Sequence, residues 1–388
     1  MADAGRPFLI AGAGPGGLAL AILLRRAEID ARVVEKAQGP RTGGGALVLW
    51  PHGTRALAAV LGEGPARALG PAFRRVHVRG WTGALTHDLP IGKLAAGGGG
   101  WLMALERGRL IDALLGALGR EHVRWGAPVE SATTEGDRVC VRLDGGEEIE
   151  AAALVGADGF HSKVATYLRG DVPPRLANMV AWIGSSPTPG SDATRLTSTD
   201  GQGRRFLHIP HATGSWWYAY THASFGVADM AALRACFRGY PPPITDLIAT
   251  TPDGSWLRFE LQDRPPSTVW GTGRISLLGD AAHPCTPDLG QGVCMALEDA
   301  VVLAATLASE AGPTEAAFRR YEGQRSERTA GLQRASWAVS QVSCPGSEFA
   351  AQVRDTVFSA LPAAALLSGF AAMFADPAAQ ATGAKPTK

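Results

Sequence analysis

The chain has 388 residues, with 37 Lys and Arg against 36 Asp and Glu and a formal net charge of +1. Near-neutrality without a basic block gives nucleic acid no electrostatic footprint, and the length admits two domains with a sizeable core. Five scattered cysteines (Cys140, Cys236, Cys285, Cys294 and Cys344) show no CxxC pair. They exclude a disulfide framework and a structural zinc site, and fit a reduced, cytoplasmic protein.

In chain order, Pro7 to Ala11 is a short apolar run that leads directly into Gly12-Ala13-Gly14-Pro15-Gly16-Gly17. Leu18 to Leu24 reads as a buried helix behind the glycines, and Ala31 to Val34 as a second strand ending in Glu35. This is a βαβ opening, not a membrane span, because glycines and a proline break the apolar run, and no cationic segment precedes it to suggest a signal peptide. Thr54 to Leu61 reads as a helix. Residues 74–98 alternate like strands and close on four glycines, 97–100. Leu110 to Leu115 has helical spacing, Arg138–Leu143 and Glu147–Glu150 form a hairpin about Asp144-Gly145-Gly146, and Ala152 to Val155 is a buried strand.

From about 178 to 262 the sequence is aromatic-rich and strand-like. Arg204–Ile209 and Ser215–Thr221 read there as an antiparallel pair. Helical signals return at 293–309 and 314–341, and Leu366 to Phe374 lies in an Ala-rich, weakly amphipathic tail. For that tail, simple packing, cover over a substrate entrance, dimer contact and weak membrane association all remain open. The expected architecture is α/β. A Rossmann-type dinucleotide domain (1–73, 99–172 and 266–340) is interrupted by a β-sheet-rich substrate domain (74–98 and 173–265), with a helical C-terminal segment (341–388).

Three motifs carry the chemistry. In the first, Gly12 permits a tight turn, Gly14 lets backbone approach a pyrophosphate, and Gly17 lets helix and strand pack closely, with Pro15 opening the helix. Glu35, about 20 residues on, suits adenosine ribose hydroxyls, and an acid there disfavours a 2′-phosphate. The second is Ala157-Asp158-Gly159. The third is Gly279-Asp280-Ala281-Ala282-His283-Pro284, followed by Gly290-Gln291-Gly292 and a helix from Val293. Asp280 at a strand end can accept from a ribityl hydroxyl. The Gly290 to Gly292 amides and the helix dipole can hold negative charge on a reduced flavin. Together the three motifs point to FAD.

The chain here resembles the single-component FAD-dependent aromatic hydroxylases, the family typified by para-hydroxybenzoate hydroxylase. The matching segments are Gly12 to Gly17 with Glu35, Glu106-Arg107-Gly108-Arg109-Leu110, Val155 to Val164, and Leu278 to Ala300 with Pro287 and Glu298-Asp299. The pattern is most similar to urate hydroxylase, salicylate hydroxylase and zeaxanthin-epoxidase-like members, as in Trp50-Pro51-His52-Gly53 and Thr286 to Gly292. Ala165 departs from the family's usual Arg, His52 from a frequent Asn, and Val293 from a frequent small residue or Asn. The resemblance implies an NAD(P)H-using monooxygenase. NADPH or NADH visits transiently, O2 adds at flavin C4a, and the hydroperoxide oxygenates a small aromatic or unsaturated substrate. A flavin halogenase, a non-oxygenating FAD oxidoreductase and a non-catalytic flavin-binding protein are the alternatives. The implied cofactor contacts include Lys36, Arg41, Arg107 at the ribityl–phosphate region, and Asp158 bracing the pyrophosphate loop and the reductant site.

For the substrate, strand alternation sends one of Arg204 and Arg205 towards a cavity unless both are solvated, and Arg205 is preferred by the family pattern. Trp50, Trp217, Tyr218, Tyr220 and His222 are weaker candidates for the pocket, since aromatics at strand period also serve as core. Asp288, beside Pro287, is the carboxylate best placed to orient or deprotonate a substrate, or else caps its turn. His283 is expected to organise the loop rather than act as a base. No metal ligand cluster is visible. The expected partners are a small substrate and O2, with no integral membrane association and a monomer or homodimer.

Overall fold

A computed structural model describes residues 5–40, 43, 45–96, 99–190, 192–310 and 312–375. Its first layer is a five-stranded sheet in the order Ile275–Leu277, Ala153–Gly156, Phe8–Ala11, Ala31–Glu35, Val123–Trp125, all parallel. Phe8 to Ala11 are buried without interruption, as befits a parallel strand covered on both faces. The fold is α/β, with a Rossmann-type parallel sheet and a helical C-terminus.

Two close crossings position the site. A Cβ on Gly16 would meet Leu278 Cδ1 at 2.6 Å and the Ala296 Cβ at 3.1 Å. The helix Pro15–Arg26 therefore crosses the helix Gly292–Ser309 at its own first turn. A Cβ on Gly53 would lie 2.5 Å from Cys294 Sγ, so the helix Pro51–Leu61 crosses the same helix at the corresponding place. Missing side chains thus bring three helix starts together.

The second layer is a seven-stranded sheet, Trp256–Asp263, Arg175–Ser186, Gly214–His222, Arg204–His211, Arg195–Gly201, Arg75–Gly80, Leu85–Leu89. The last two strands come from the early alternating segment: Arg75–Gly80 pairs with Arg195–Gly201 in parallel, and Leu85–Leu89 pairs antiparallel with Arg75–Gly80 at the edge. The expected hairpin forms and gains a third strand, Val129–Glu135. Two short helices, Met230–Cys236 and Ile244–Thr250, cover one face of the large sheet in a cluster with Trp182, Phe206 and Trp217. Among the described residues, Gly292–Ser309 is long and apolar enough to cross a membrane, but Leu297, Leu303 and Leu307 on it are fully buried in the core.

The C-terminal segment, expected to be helical, holds two helices, Glu348–Ala360 and Ala363–Phe374. The second packs on the body. Phe370 and Phe374 lie 4.9 and 5.5 Å from the Trp50 ring, and Arg55 and Arg328 donate to the Phe374 and Met373 carbonyls. Of the alternatives for this tail, packing is the one these contacts bear on.

Candidate active site

Four of the helices that meet at the parallel sheet begin without side-chain caps. Gly14, Trp50 and Gln291, and likewise Glu106 before Arg107–Leu118, make no capping hydrogen bond, and none of the four first turns carries an acid. Several other helices begin differently: Ser162, Asp229, Thr314 and Ser347 accept from their own first turns. A helix start leaves backbone N–H groups and a partial positive charge, so uncapped starts converging on one place suit a phosphate-bearing, electron-accepting ligand.

The glycines divide as their roles require. A Cβ on Gly12 would strike Ala157 O at 2.3 Å and one on Gly17 would strike Gly12 O at 2.1 Å, whereas one on Gly14 would meet nothing within 4 Å. Gly12 has φ +115°, a left-handed value that glycine adopts at little cost. Gly14 therefore faces open space, as a backbone that cradles a pyrophosphate must. Glu35 accepts from Ala13 N at 2.8 Å and Ala37 N at 2.9 Å. It thereby fixes the loop while keeping lone pairs for ribose hydroxyls. Lys36, beyond it, is exposed. Arg41 lies outside the described residues.

Asp158 Oδ2 accepts from Lys163 N at 2.8 Å, and its Oδ1 is buried with no partner. Burial raises its pKa, against hydrogen bonds from Ser162 and the Lys163 amide. Asp280 is solvent-accessible by surface area, yet lies deep enough that burial raises its pKa, opposed by His283 and Arg107. Accessibility and depth coexist where a carboxylate lines an internal cleft. Arg107, across that cleft, has a buried Nε without a partner, and a Cβ on Gly292 would sit 3.5 Å from Asp280 Oδ1. Open glycine backbone, uncapped helix starts and orphaned polar atoms fit FAD. Ala165, at the departure from the family pattern, is buried and donates its N–H to Ser162 Oγ at 2.8 Å.

Behind the flavin loop lies a buried charge network. Asp299 accepts from Gly279 N at 2.9 Å, His283 Nε2 at 2.6 Å and Arg325 Nε at 2.7 Å. Burial opposes its ionisation, but His283 and Arg325 prevail and hold its pKa at about 2. Glu298 is shared by Arg325 and Arg328. His283 thus organises the loop, as expected. Arg325 carried no local signal in the sequence; a fully buried Arg becomes evident only when two helices pack.

On the large sheet, Arg205 and Arg204 turn to opposite faces. Arg204 Nε reaches Cys236 Sγ at 2.9 Å. Arg205, its side chain 14% exposed, donates to Asp288 Oδ1 at 2.8 Å and lies 4.3 Å from the Tyr220 ring centroid. Burial works against the Arg205 charge, but Asp288 overcomes it and raises the pKa. Asp288 Oδ2 is buried and unpartnered. Pro287 is exposed at the start of the single turn Pro287–Leu289, immediately before Gly290. Val293 is half-buried in the first turn of the following helix.

Tyr218 and Tyr220 stack at 6.3 Å on the Arg205 side, and Tyr218 donates its hydroxyl to Ala46 O. The other aromatic candidates are not brought into this group. Trp217 faces the opposite side of the sheet, fully buried, stacked on Phe206 and donating to Thr251 Oγ1. The period of two separates it from Tyr218 and Tyr220. His222, near the strand end, contacts Ser224 at 2.7 Å and packs edge-on to Phe225. Trp50 is occupied by the C-terminal helix and donates Nε1 to Leu289 O at 2.9 Å.

Residues 249–336 match the model of the FAD binding domain family. The chain is 34% identical over 357 residues to the aurachin C monooxygenase/isomerase of Stigmatella aurantiaca, covering 90% of this chain and 93% of the relative. It is 32% identical to the FAD-dependent urate hydroxylase of Klebsiella pneumoniae, covering 84% and 87%. The crystal structure of Klebsiella pneumoniae HpxO complexed with FAD and uric acid superposes with a TM-score of 0.88 at 28% identity, over 95% of this chain and 97% of that one. These oxygenases favour oxygen insertion over halogenation or non-oxygenating chemistry. The protein belongs to the single-component FAD-dependent aromatic hydroxylase family and is an FAD-dependent monooxygenase of aromatic or unsaturated substrates, reduced as its family is by NAD(P)H.

Proposed function

We propose that the substrate is a small planar aromatic bearing an acidic O–H or N–H, oxygenated between the flavin loop and the Arg205–Asp288 pair. The observation that carries this reading is the lone Oδ2 of Asp288, a buried acceptor on the loop that leads into Gly290-Gln291-Gly292. A buried carboxylate oxygen without a donor is costly, and a substrate O–H or N–H satisfies it. Accepting that proton raises electron density on the substrate ring, which an electrophilic oxygen needs. Arg205 holds Asp288 in place and balances its charge. Tyr218 and Tyr220 wall the same face and exclude water. FAD, once reduced, supplies the oxygen activation, and Gly12 to Gly17, Glu35, Arg107, Asp158 and Asp280 hold it.

The same reading makes the protein a cytoplasmic enzyme, in keeping with five free thiols. It assigns the large sheet to substrate and the parallel sheet to cofactor. The test is aerobic NADH and NADPH consumption by the FAD-loaded enzyme across phenols, aromatic acids, purines and quinolones, with mass spectrometry of each product. Substrate-stimulated consumption with one added oxygen supports the reading and names the substrate class. Stimulation that yields only hydrogen peroxide, or no stimulation by any ionisable aromatic, overturns it.

A further inference from the structure

One buried cation near the proposed substrate position has no role in holding FAD or Asp288. Arg354 lies on the helix Glu348–Ala360. That helix is tied to the large sheet by Asp355 Oδ2, which accepts from Gln202 N at 3.1 Å, and by Phe358, edge-on to His87 at 5.4 Å. The Arg354 side chain is 14% exposed, and its Nε and Nη2 are buried without hydrogen-bond partners. Nη2 is ion-paired with Asp355 Oδ1 at 2.9 Å, and neither atom makes a hydrogen bond.

The unsatisfied pair is informative. Nε and Nη2 form one edge of the guanidinium, two parallel N–H bonds spaced to meet the two oxygens of a carboxylate. Asp355 seats this helix on Gln202, two residues beyond Asp200, the strand partner of Arg205, and Asp200 and Cys344 each lie in the fields of both Arg205 and Arg354. Asp200 pairs with Arg205 across the strands and accepts from Ser198 Oγ at 2.9 Å. Burial raises its pKa, which makes it a poor permanent counter-ion for Arg354. Ser343 Oγ, 3.4 Å from Asp288 Oδ1, joins the C-terminal segment to the same group.

We infer that Arg354 is a second substrate-binding cation: its Nε–Nη2 edge takes a carboxylate, or an equivalent pair of ring oxygens, on an aromatic whose acidic O–H or N–H end is held at Asp288. The inference rests on the proposed placement of substrate at Arg205 and Asp288, and it gives the C-terminal helix a part in substrate selection.

The test titrates FAD-loaded wild type, Arg354→Met and Arg354→Lys with 6-hydroxynicotinate and with 2-hydroxypyridine, the corresponding ring lacking the carboxylate. Binding is followed by perturbation of the bound-flavin absorbance. Wild type is expected to prefer the carboxylated ring by about tenfold or more, the worth of a good charge-assisted contact. Arg354→Met should erase that preference while leaving flavin content and the Kd for the bare ring unchanged, and Arg354→Lys should restore part of it. A merely structural arginine would weaken both rings alike and leave the preference intact, which overturns the inference. So does a wild type that binds the carboxylated ring no better than the bare one, or not at all. Arg205→Ala, run alongside, should weaken both rings; if it weakens neither, the placement at Arg205 and Asp288 fails separately.

Discussion

The two sides of this site are built from different materials. The flavin side is made of backbone: strand ends, glycine turns and helix starts left uncapped. The proposed substrate side is made of side chains from three distant stretches: Arg205 and Tyr220 on the sheet, Asp288 on the flavin loop, and Ser343 and Arg354 in the last quarter of the chain. A backbone site tolerates few residue types, because a Cβ at Gly12 or Gly17 would collide with main-chain oxygens. A side-chain site can be rewritten one residue at a time without disturbing the fold. The cofactor chemistry is therefore fixed by the scaffold, and selectivity is left to residues the scaffold does not constrain.

This division can be broken from either side. Asp280→Ala should have the largest effect: a ribityl acceptor deep in the cleft is lost, and the purified protein should carry little FAD, read as the ratio of flavin to protein absorbance. Retention of normal flavin would remove Asp280 from the cradle. Arg205→Ala should leave flavin content intact while lowering kcat/KM by roughly a hundredfold, because Asp288 loses its counter-charge in a buried setting. A parallel loss of FAD would mean that the two sides are not separable.

A smaller effect concerns pH. His52 has its pKa lowered from 6.5 to about 4, chiefly by burial, and its Nε2 contacts Gln291 Oε1 at 2.9 Å. The unfolded chain takes up this proton first as pH falls. Stability is thus full above about 6.5 and is lost as pH drops towards 4. His208, also at about 4 through burial and then Arg195, acts in the same window. His52→Asn should flatten the pH dependence of urea unfolding by about 3 kcal/mol between these limits. An unchanged slope would show that His52 takes up its proton in the folded protein as readily as in the unfolded chain.

The same contrast explains what was legible in the sequence. Gly12, Gly17, Glu35 and Asp280 could be read because a turn, a close crossing or a strand end demands those residue types at those spacings. Arg205 could be separated from Arg204 only as far as alternation allows, and the structure turns them to opposite faces. Arg325 and Arg354 could not be found, since helical arginines are ordinarily solvated and only the packing of distant segments buries these two. The helix Glu348–Ala360 was legible only as part of a helical tail, without bounds of its own. Phe349, Val353 and Val357 on it are exposed, so its pattern does not show one buried stripe.

Trp217 gives the finest test of where the substrate side ends. It lies on a strand with Tyr218 and Tyr220, and composition alone puts all three in one aromatic floor. The strand period puts Trp217 on the other face, against Phe206 at 5.6 Å, with Nε1 donating to Thr251 Oγ1 at 2.9 Å. Trp217→Phe deletes that donor and keeps most of the apolar surface. It should cost about 1 kcal/mol of stability, the net worth of one hydrogen bond, and leave KM, coupling and flavin content unchanged. Tyr220→Phe, one layer away on the Arg205 face, removes only a hydroxyl and should instead alter kinetics at unchanged stability. If Trp217→Phe moved KM, the sheet would transmit packing changes from one face to the other. The division between a replaceable substrate surface and a purely structural reverse face would then fail.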